Sequence, residues 1–250
     1  MNRRNISLVV FVLLFSYGLF YLVSIYNRNS EILYDNSDKL WVHRALDFNQ
    51  VNEKYNNFNG VEVDVFFETS KGTFDVRHHG KYKGNTLFEY LENINNKEMF
   101  FWIDLKNLDR NNVKNVLNRL NVISENTIGK NQLIIESMNI ELLDELQNEG
   151  YFISYWLPPF NFFRSPFEVF KVKRNLIKFS PNAISCSHHN VDFYSRKFPI
   201  YNLHCWTNGL KNEEDKLKII ELSESCLLYT SDAADDSLRV DLGGRRIIKK

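Results

Sequence analysis

The chain has 250 residues, and its 31 lysines and arginines balance 31 aspartates and glutamates, so the formal net charge is zero. No Lys/Arg cluster is long enough to follow a phosphate backbone, which argues against nucleic acid as a partner. The length allows one barrel-sized domain or two small ones.

An uncharged run, Ile6 to Tyr26, follows Arg3 and Arg4 near the start of the chain. A helix of that length crosses a hydrocarbon core of about 30 Å. A cleavable signal peptide is the alternative, but it has a shorter apolar region and a small-residue exit. We predict a single-pass signal anchor at 6–26, with 1–5 cytoplasmic, 27–37 a linker, and the rest membrane-attached on the extracytoplasmic side.

The last segment, 226–250, changes character abruptly and has no strand or helix period. Its two parts, CLLYTSDAADD and RVDLGGRRIIKK, resemble a translated reading frame through the adapter DNA of sequencing libraries. The resemblance implies that the native sequence stops near Ser225, within its gene, and that Cys226 is not native.

Two further cysteines, Cys186 and Cys205, lie in apolar strand-like runs. A disulfide in an oxidising compartment and a pair of buried free thiols are both compatible with this pattern. The cysteine spacing supports no zinc site.

Strand-like runs recur along the middle of the chain and alternate with amphipathic helices. The predicted main strands are 41–45, 60–68, 99–106, 132–138, 151–157, 183–188 and 200–207, with a short return strand at 74–78 after a turn.

Four helices are marked by their apolar spacing or by their caps. One begins at a capping box of Thr86 and Glu89, and a second has Val113, Val116, Leu117 and Leu120 on one face. A third covers 140–147. A fourth opens with Ser165, Pro166 and Glu168.

Seven main strands with intervening helices predict an α/β fold, a TIM-type (β/α)8 barrel over 38–225 that lacks its last strand. The missing strand would fall where the anomalous tail begins. A doubly wound sheet is the alternative, but no glycine-rich phosphate loop follows the first strand.

The active site of a parallel barrel lies at the carboxyl ends of its strands, where residues two apart share a side. The polar residues at those ends are His43, Arg44, Glu62, Asp64, His78, Asp104, Lys106, Glu136 and His204. Two of them, Glu62 and Asp64, stand on one face of one strand.

A buried carboxylate must be paired, protonated or bound to a metal. Glu62, Asp64 and Asp104 offer the hard oxygen ligands that suit Mg²⁺ or Ca²⁺. The rival interpretation is a structural salt-bridge cluster in which Glu62 and Asp64 pair with Arg44 and Lys106. Two histidines beside a metal and an arginine would supply the parts needed for phosphoryl chemistry.

The order of these residues resembles the glycerophosphodiester phosphodiesterases, a family of phospholipase C-like TIM barrels. The motifs are HR at His43, ExD at Glu62, a histidine after a short turn, a carboxylate-x-lysine strand ending at Lys106, and WTN at 206–208. The resemblance spans Trp41 to Asn208.

This resemblance implies metal-dependent hydrolysis of a small-molecule glycerophosphodiester or a phospholipid-like head group. It implies that His43 and His78 are the acid/base pair and that Arg44 and Lys106 bind phosphate. The implied metal ligands are Glu62, Asp64 and Asp104.

The chain departs from the family pattern in several places. The glycine and the PENT segment that usually follow HR are absent, and His79 stands where an aspartate is usual. Asp104 replaces a glutamate, which is similar to the sphingomyelinase D-like relatives. Those relatives imply the alternative of head-group transfer to give a cyclic phosphate.

Three residues, Glu136, His204 and Trp206, are predicted as further pocket residues. A catalytically silent barrel that binds a lipid or glycan outside the cell is another hypothesis, motivated by the departures above. The weakest hypothesis is a glycosidase that uses Glu62 with Glu136, because it leaves the two histidines without a role.

Overall fold

The computed structural model describes residues 10–19, 40–80, 84–159, 166–207, 226 and 228–232. Its helices and strands alternate along the chain. In order they are α1 (10–19), β1 (Leu40–His43), α2 (Phe48–Gln50), β2 (Gly60–Glu68), β3 (Thr73–Val76), α3 (Leu87–Glu92), β4 (Phe100–Leu105), α4 (Val113–Asn126), β5 (Leu133–Ser137), α5 (Ile140–Asn148), β6 (Phe152–Trp156), α6 (Pro166–Phe179), β7 (Ala183–Ser187), α7 (Val191–Lys197), β8 (Asn202–Trp206) and β9 (Leu228–Asp232).

Eight parallel strands form a closed ring in the order β1, β2, β4, β5, β6, β7, β8 and β9, with β9 pairing back onto β1. The ninth strand, β3, runs antiparallel to the carboxyl half of β2. It therefore returns the chain along the rim of the barrel and places the residues that follow it near the strand ends.

The predicted barrel is observed, but it is closed where the sequence predicted a gap. The eighth position is taken by β9, which lies in the anomalous tail; its Tyr229 pairs with Leu40 on one side and with Cys205 on the other. Without a strand there, the edges of β1 and β8 would keep unpaired backbone groups. The resemblance of the tail to adapter sequence stays a prediction.

Helix α3 begins where its predicted capping box places it. The Thr86 hydroxyl accepts from the Glu89 amide at 3.2 Å, and the Glu89 carboxylate accepts from the Thr86 amide at 2.8 Å. Val113, Val116 and Leu120 form the buried face of α4. The proposed cap of α6, Ser165, lies outside the described residues.

The barrel interior is closed below by side chains of five strands. They are Trp41, Trp102, Ile134, Phe152 and Ala183. Gly60 leaves room for the Trp41 ring, because a Cβ there would lie 2.4 Å from a ring atom. This apolar floor confines polar groups to the upper part of the barrel.

Part of the predicted membrane anchor and the whole of the predicted linker, 27–37, lie outside the described residues. The described part, 10–19, is helical, and its large apolar side chains are exposed. Among the described residues, no helix has both the length and the apolarity to cross a bilayer. Cys186 and Cys205 are buried free thiols, so the disulfide alternative is not what the structure has.

Candidate active site

A cavity of about 350 Å³ opens at the carboxyl ends of the strands. Most of the sequence-predicted site residues line it. The lining comprises His43, Arg44, Glu62, Phe66, His78, His79, Trp102, Asp104, Lys106, Glu136, Trp156 and Trp206. The carboxyl-end rule for parallel barrels therefore predicted most of the side chains that come together at this cavity.

Three buried carboxylates, Glu62, Asp64 and Asp104, lie together beside the cavity; Glu62 and Asp104 line it, whereas Asp64 is not part of the lining. Their exposed fractions are 4%, 1% and 7%, and one oxygen from each lies within 4.8 Å of the others. Glu62 and Asp64 project from the same side of β2, and Asp104 is the register partner of Asp64 on β4. Strand alternation and parallel pairing thus bring the trio together.

Two cations reach these carboxylates. Lys106 Nζ lies 2.5 Å from Asp64 Oδ1 and also contacts Asp104 Oδ2, while Arg44 Nε lies 3.9 Å from Asp64 Oδ2. Burial lowers the pKa of Lys106, but Asp104 and Asp64 outweigh burial and leave it above its ordinary value. The rival interpretation of a structural salt-bridge cluster is therefore confirmed in part, because both cations lie close to Asp64.

The backbone conformation of Arg44 brings its amide within hydrogen-bond distance of Glu62. Its φ of 53° lies in the left-handed region, which is uncommon outside glycine. In this conformation the Arg44 amide donates to Glu62 Oε2 at 2.6 Å. The chain tolerates backbone strain at the point where it fixes a candidate metal ligand.

The carboxylates are held close at an electrostatic cost. Burial, with Asp64 and Asp104 nearby, raises the pKa of Glu62 well above its ordinary value. Burial raises the pKa of Asp104 to about 6 against the opposing effect of Lys106. A bound cation would relieve this repulsion, because it stabilises the ionised forms.

The trio fits a hard divalent cation. It offers carboxylate oxygens at close range, and Asp104 Oδ1 is buried without a hydrogen-bond partner among the described residues. Oxygen ligands of this kind suit Mg²⁺ or Ca²⁺.

The two candidate catalytic histidines each contact one of the carboxylates. His78 Nδ1 lies 2.7 Å from Asp64 Oδ2, and His43 Nε2 lies 3.7 Å from Glu62 Oε2. His43 also stacks on Trp206, with ring centroids 6.2 Å apart. Burial lowers the pKa of His78, opposed by Asp64. A carboxylate thus orients His78 by a hydrogen bond and lies beside His43.

His79 also lines the cavity and lies against His78, with ring centroids 3.9 Å apart. The bond to Asp64 belongs to His78, which distinguishes the two candidates by geometry.

The three additional pocket candidates lie at different depths. Glu136 and Trp206 line the cavity, whereas His204 is fully buried and is not part of the lining. His204 packs against Trp102 and Phe152, and burial lowers its pKa to about 3. It lies on the inner side of its strand, two residues before Trp206.

Sequence reasoning missed Phe66, Trp102 and Trp156 as cavity residues. Trp102 lies two residues before Asp104 and Phe66 two after Asp64, so strand alternation could have indicated both. Trp156 forms a wall with Trp206, their rings 6.0 Å apart at 83°. The contact between Trp156 and Trp206 could not be predicted from the sequence of β6 alone, because Trp206 lies on another strand.

Comparisons with solved structures find similar barrels. A glycerophosphodiester phosphodiesterase from Parabacteroides distasonis is 13% identical, with a TM-score of 0.63 over 85% of this chain and 100% of the other. A phosphodiesterase from Oleispira antarctica, in complex with its product sn-glycerol-3-phosphate, is 11% identical, with a TM-score of 0.62 over 82% and 96%. The chain therefore has the same barrel fold as these solved proteins.

Sequence comparisons add nothing to this, since no protein-family model matches and no curated protein does. The fold alone does not define a reaction. An orotidine 5'-monophosphate decarboxylase from Sulfolobus solfataricus also matches, at 12% identity, with a TM-score of 0.53 over 85% of this chain and 100% of the other. Function must be argued from the site.

Proposed function

We propose that this protein is a metal-dependent phosphoric diester hydrolase acting on a small glycerophosphodiester or a phospholipid-like head group. The observation that carries the proposal is that two histidines, one hydrogen-bonded to Asp64 and the other 3.7 Å from Glu62, lie beside a buried carboxylate trio at one cavity. A fold shared with solved glycerophosphodiester phosphodiesterases supports it.

The cationic side chains give the cavity its affinity for a phosphodiester. Arg44 and Lys106 both line it, and each already lies close to a carboxylate. A cation bound by Glu62, Asp64 and Asp104 would neutralise those carboxylates and polarise the phosphoryl group. The two basic side chains would then be available to hold phosphoryl oxygens.

The histidines supply the proton transfers. One imidazole takes the proton of the attacking hydroxyl, and the other gives a proton to the departing alkoxide. The hydrogen bond to Asp64 holds the His78 ring in place, while the His43 ring stacks on Trp206 with Glu62 3.7 Å away. Hydrolysis by water gives a phosphomonoester and an alcohol.

The decisive experiment is phosphorus NMR on glycerophosphodiesters and lysophospholipids, with Mg²⁺ or with chelator. We expect a phosphomonoester to form only with the metal. His43→Ala and His78→Ala should each lower kcat by at least about a hundredfold. Full activity in either alanine variant would remove that histidine from the mechanism.

Head-group transfer is the second candidate, because an aspartate, Asp104, occupies the third carboxylate position. Attack by a hydroxyl of the substrate itself would give a cyclic phosphate, which has its own phosphorus signal. Absence of turnover on every diester would instead favour a silent barrel in which Lys106 serves only to pair with Asp64 and Asp104.

We also propose that the barrel is carried outside the cytoplasm on the N-terminal signal anchor at 6–26. The exposed apolar side chains of 10–19 support an apolar environment for this segment. Protease accessibility of the barrel in intact cells tests the orientation. Full protection of the barrel would contradict it.

A further inference from the structure

The segment that carries His78 has no regular secondary structure of its own. It follows β3, and residues 77–80 leave that strand as an irregular turn. Both His78 and His79 line the cavity from this turn. A misplacement of a reacting group by about 1 Å can cost a hundredfold in rate. A histidine that transfers protons from such a turn therefore needs contacts that hold the turn in place.

The Arg77 side chain closes this turn. Its Nη1 donates to the Gly80 carbonyl at 2.7 Å, so the hydrogen bond spans the two histidines that lie between these residues. Gly80 has a φ of 80°, in the left-handed region that glycine adopts without the cost of a side chain. The Gly80 carbonyl thus meets the guanidinium at a position suited to glycine.

The same guanidinium joins the turn to β2. Its Nη2 donates to Glu68 Oε1 at 2.6 Å, and its central carbon lies 4.5 Å from the centre of the Phe66 ring. Phe66 lines the cavity. The planar fork of an arginine can make separate hydrogen bonds and stack on a ring at the same time. One side chain therefore links the turn, the strand and a wall of the cavity.

The main chain holds the other end of the turn. The Arg77 amide donates to the Asp64 carbonyl at 3.0 Å, and the Asp64 carboxylate lies 2.7 Å from His78 Nδ1. Asp64 thus contacts Arg77 through its backbone and His78 through its side chain. With the Gly80 bond added, both ends of the segment that bears His78 are fixed.

Arg77 acts on His78 through position and not through charge. It is not part of the cavity lining, so it does not touch a bound substrate. The charged groups that shift the pKa of His78 are Asp64, Arg44 and Lys106. The contribution of Arg77 lies in its hydrogen bonds and its ring contact.

We propose that Arg77 is a positioning residue that holds His78 against Asp64. This inference rests on the proposed function, in which His78 transfers a proton. An amide oxygen at position 68 could still accept from Nη2, so the contacts specific to this role are those with Gly80 and Phe66. The point-like ammonium of a lysine does not reproduce the fork.

The state of the His78 ring tests the proposal without turnover. Long-range proton–nitrogen correlation spectra show which imidazole nitrogen carries the proton, and His78→Ala assigns the signals. In chelator at about pH 8, where imidazole is neutral, we expect the wild-type proton on Nδ1, beside Asp64. Arg77→Met keeps the length of the side chain and removes its donors, so both tautomers should be present.

The kinetic experiment measures the cost of losing this position. With a diester as substrate and Mg²⁺, kcat of Arg77→Met should fall at least about tenfold while KM changes less than about twofold, because the phosphate-binding groups remain. Arg77→Lys, a milder change, should lie between Arg77→Met and the wild type. Arg110→Met is the matched control, since Arg110 pairs with Glu141 at 3.1 Å and is exposed; it should match the wild type in both experiments.

Three results would overturn the proposal. They are a wild-type His78 protonated on Nε2, an Nδ1 tautomer retained in both Arg77 variants, and a lower melting temperature of these variants with unchanged kcat. If the wild type turns over no diester, the hydrolase is rejected. The tautomer of His78 would still decide whether Arg77 positions it.

Discussion

Asp64 joins the two parts of the candidate site. Its Oδ2 lies 2.7 Å from His78 Nδ1, and its Oδ1 lies 2.5 Å from Lys106 Nζ. It is 1% exposed and lies within 4.8 Å of the other two carboxylates through one of its oxygens. A single side chain therefore orients a histidine, pairs with a cation and contributes to the candidate metal site.

The first prediction concerns Asp64→Asn, which keeps the shape and removes the charge. We expect kcat/KM to fall by at least about a thousandfold, because metal affinity and histidine orientation are lost together. Steady-state kinetics across Mg²⁺ concentrations check this. Glu68→Gln is the control, since Glu68 lies at the far end of the same strand and pairs with Arg77; similar kinetics in the two variants would contradict the role of Asp64.

The second prediction follows from the raised pKa of Asp104, about 6. A carboxyl whose pKa is higher in the folded than in the unfolded protein contributes less stability as the pH rises through that interval. Without divalent cations, the stability of the wild type relative to Asp104→Asn should therefore fall between about pH 4 and pH 6, the unfolded and folded values. Urea unfolding of both proteins in chelator measures the difference.

Metal should reverse this trend, because ionised carboxylates bind it and protons compete. We expect Mg²⁺ to raise the melting temperature more at about pH 7.5 than at about pH 5 in the wild type, with little effect in Asp104→Asn. Equal shifts in both proteins would contradict metal binding at the trio.

At the scale of elements, the barrel floor depends on a contact between β1 and β2. The Trp41 ring occupies the space where a side chain at position 60 would begin. Gly60 is thus required by packing within the floor, and its backbone needs no left-handed conformation.

The third prediction is that Gly60→Ala destabilises the protein by about 1–3 kcal/mol, the usual cost of overpacking a core. Urea unfolding measures it. In a Trp41→Leu background the same substitution should cost clearly less, because the ring is gone. An equal cost in the two backgrounds would show that the contact is not the cause.

The strands were predictable because strand alternation and turn residues are local signals, and His43, Glu62, Asp64 and Asp104 followed from the carboxyl-end rule. The eighth strand was not predictable from the sequence. Strand β9 is held in place by its pairing with β1 and β8, and its own residues do not encode that pairing. His204 was misplaced in depth for a similar reason: its distance from the cavity depends on Trp102 and Phe152 of other strands.

The whole molecule depends on closure of its ring. Between β8 and β1 the closing strand is β9, and the Thr207 amide donates to the Thr230 carbonyl at 3.1 Å as part of that contact. Thr230 is fully buried.

The fourth prediction is that a chain of residues 38–225 loses cooperative thermal unfolding and aggregates, because β1 and β8 become open edges. Light scattering and calorimetry compare it with a chain of residues 38–250. Cooperative melting and solubility of the shorter chain would show that β9 is dispensable. That result is expected if the tail is foreign and β9 only occupies the position of a native eighth strand.

The barrel is closed at one end by its packed floor of Trp41, Trp102, Ile134, Phe152 and Ala183. Substrate and products must then share the mouth at the carboxyl ends of the strands. The product that lies nearer the floor leaves last and occupies the cavity until then. It should therefore act as a competitive inhibitor with respect to the substrate. The single opening therefore sets the order in which the two products leave, and product-inhibition kinetics would show which of them leaves last.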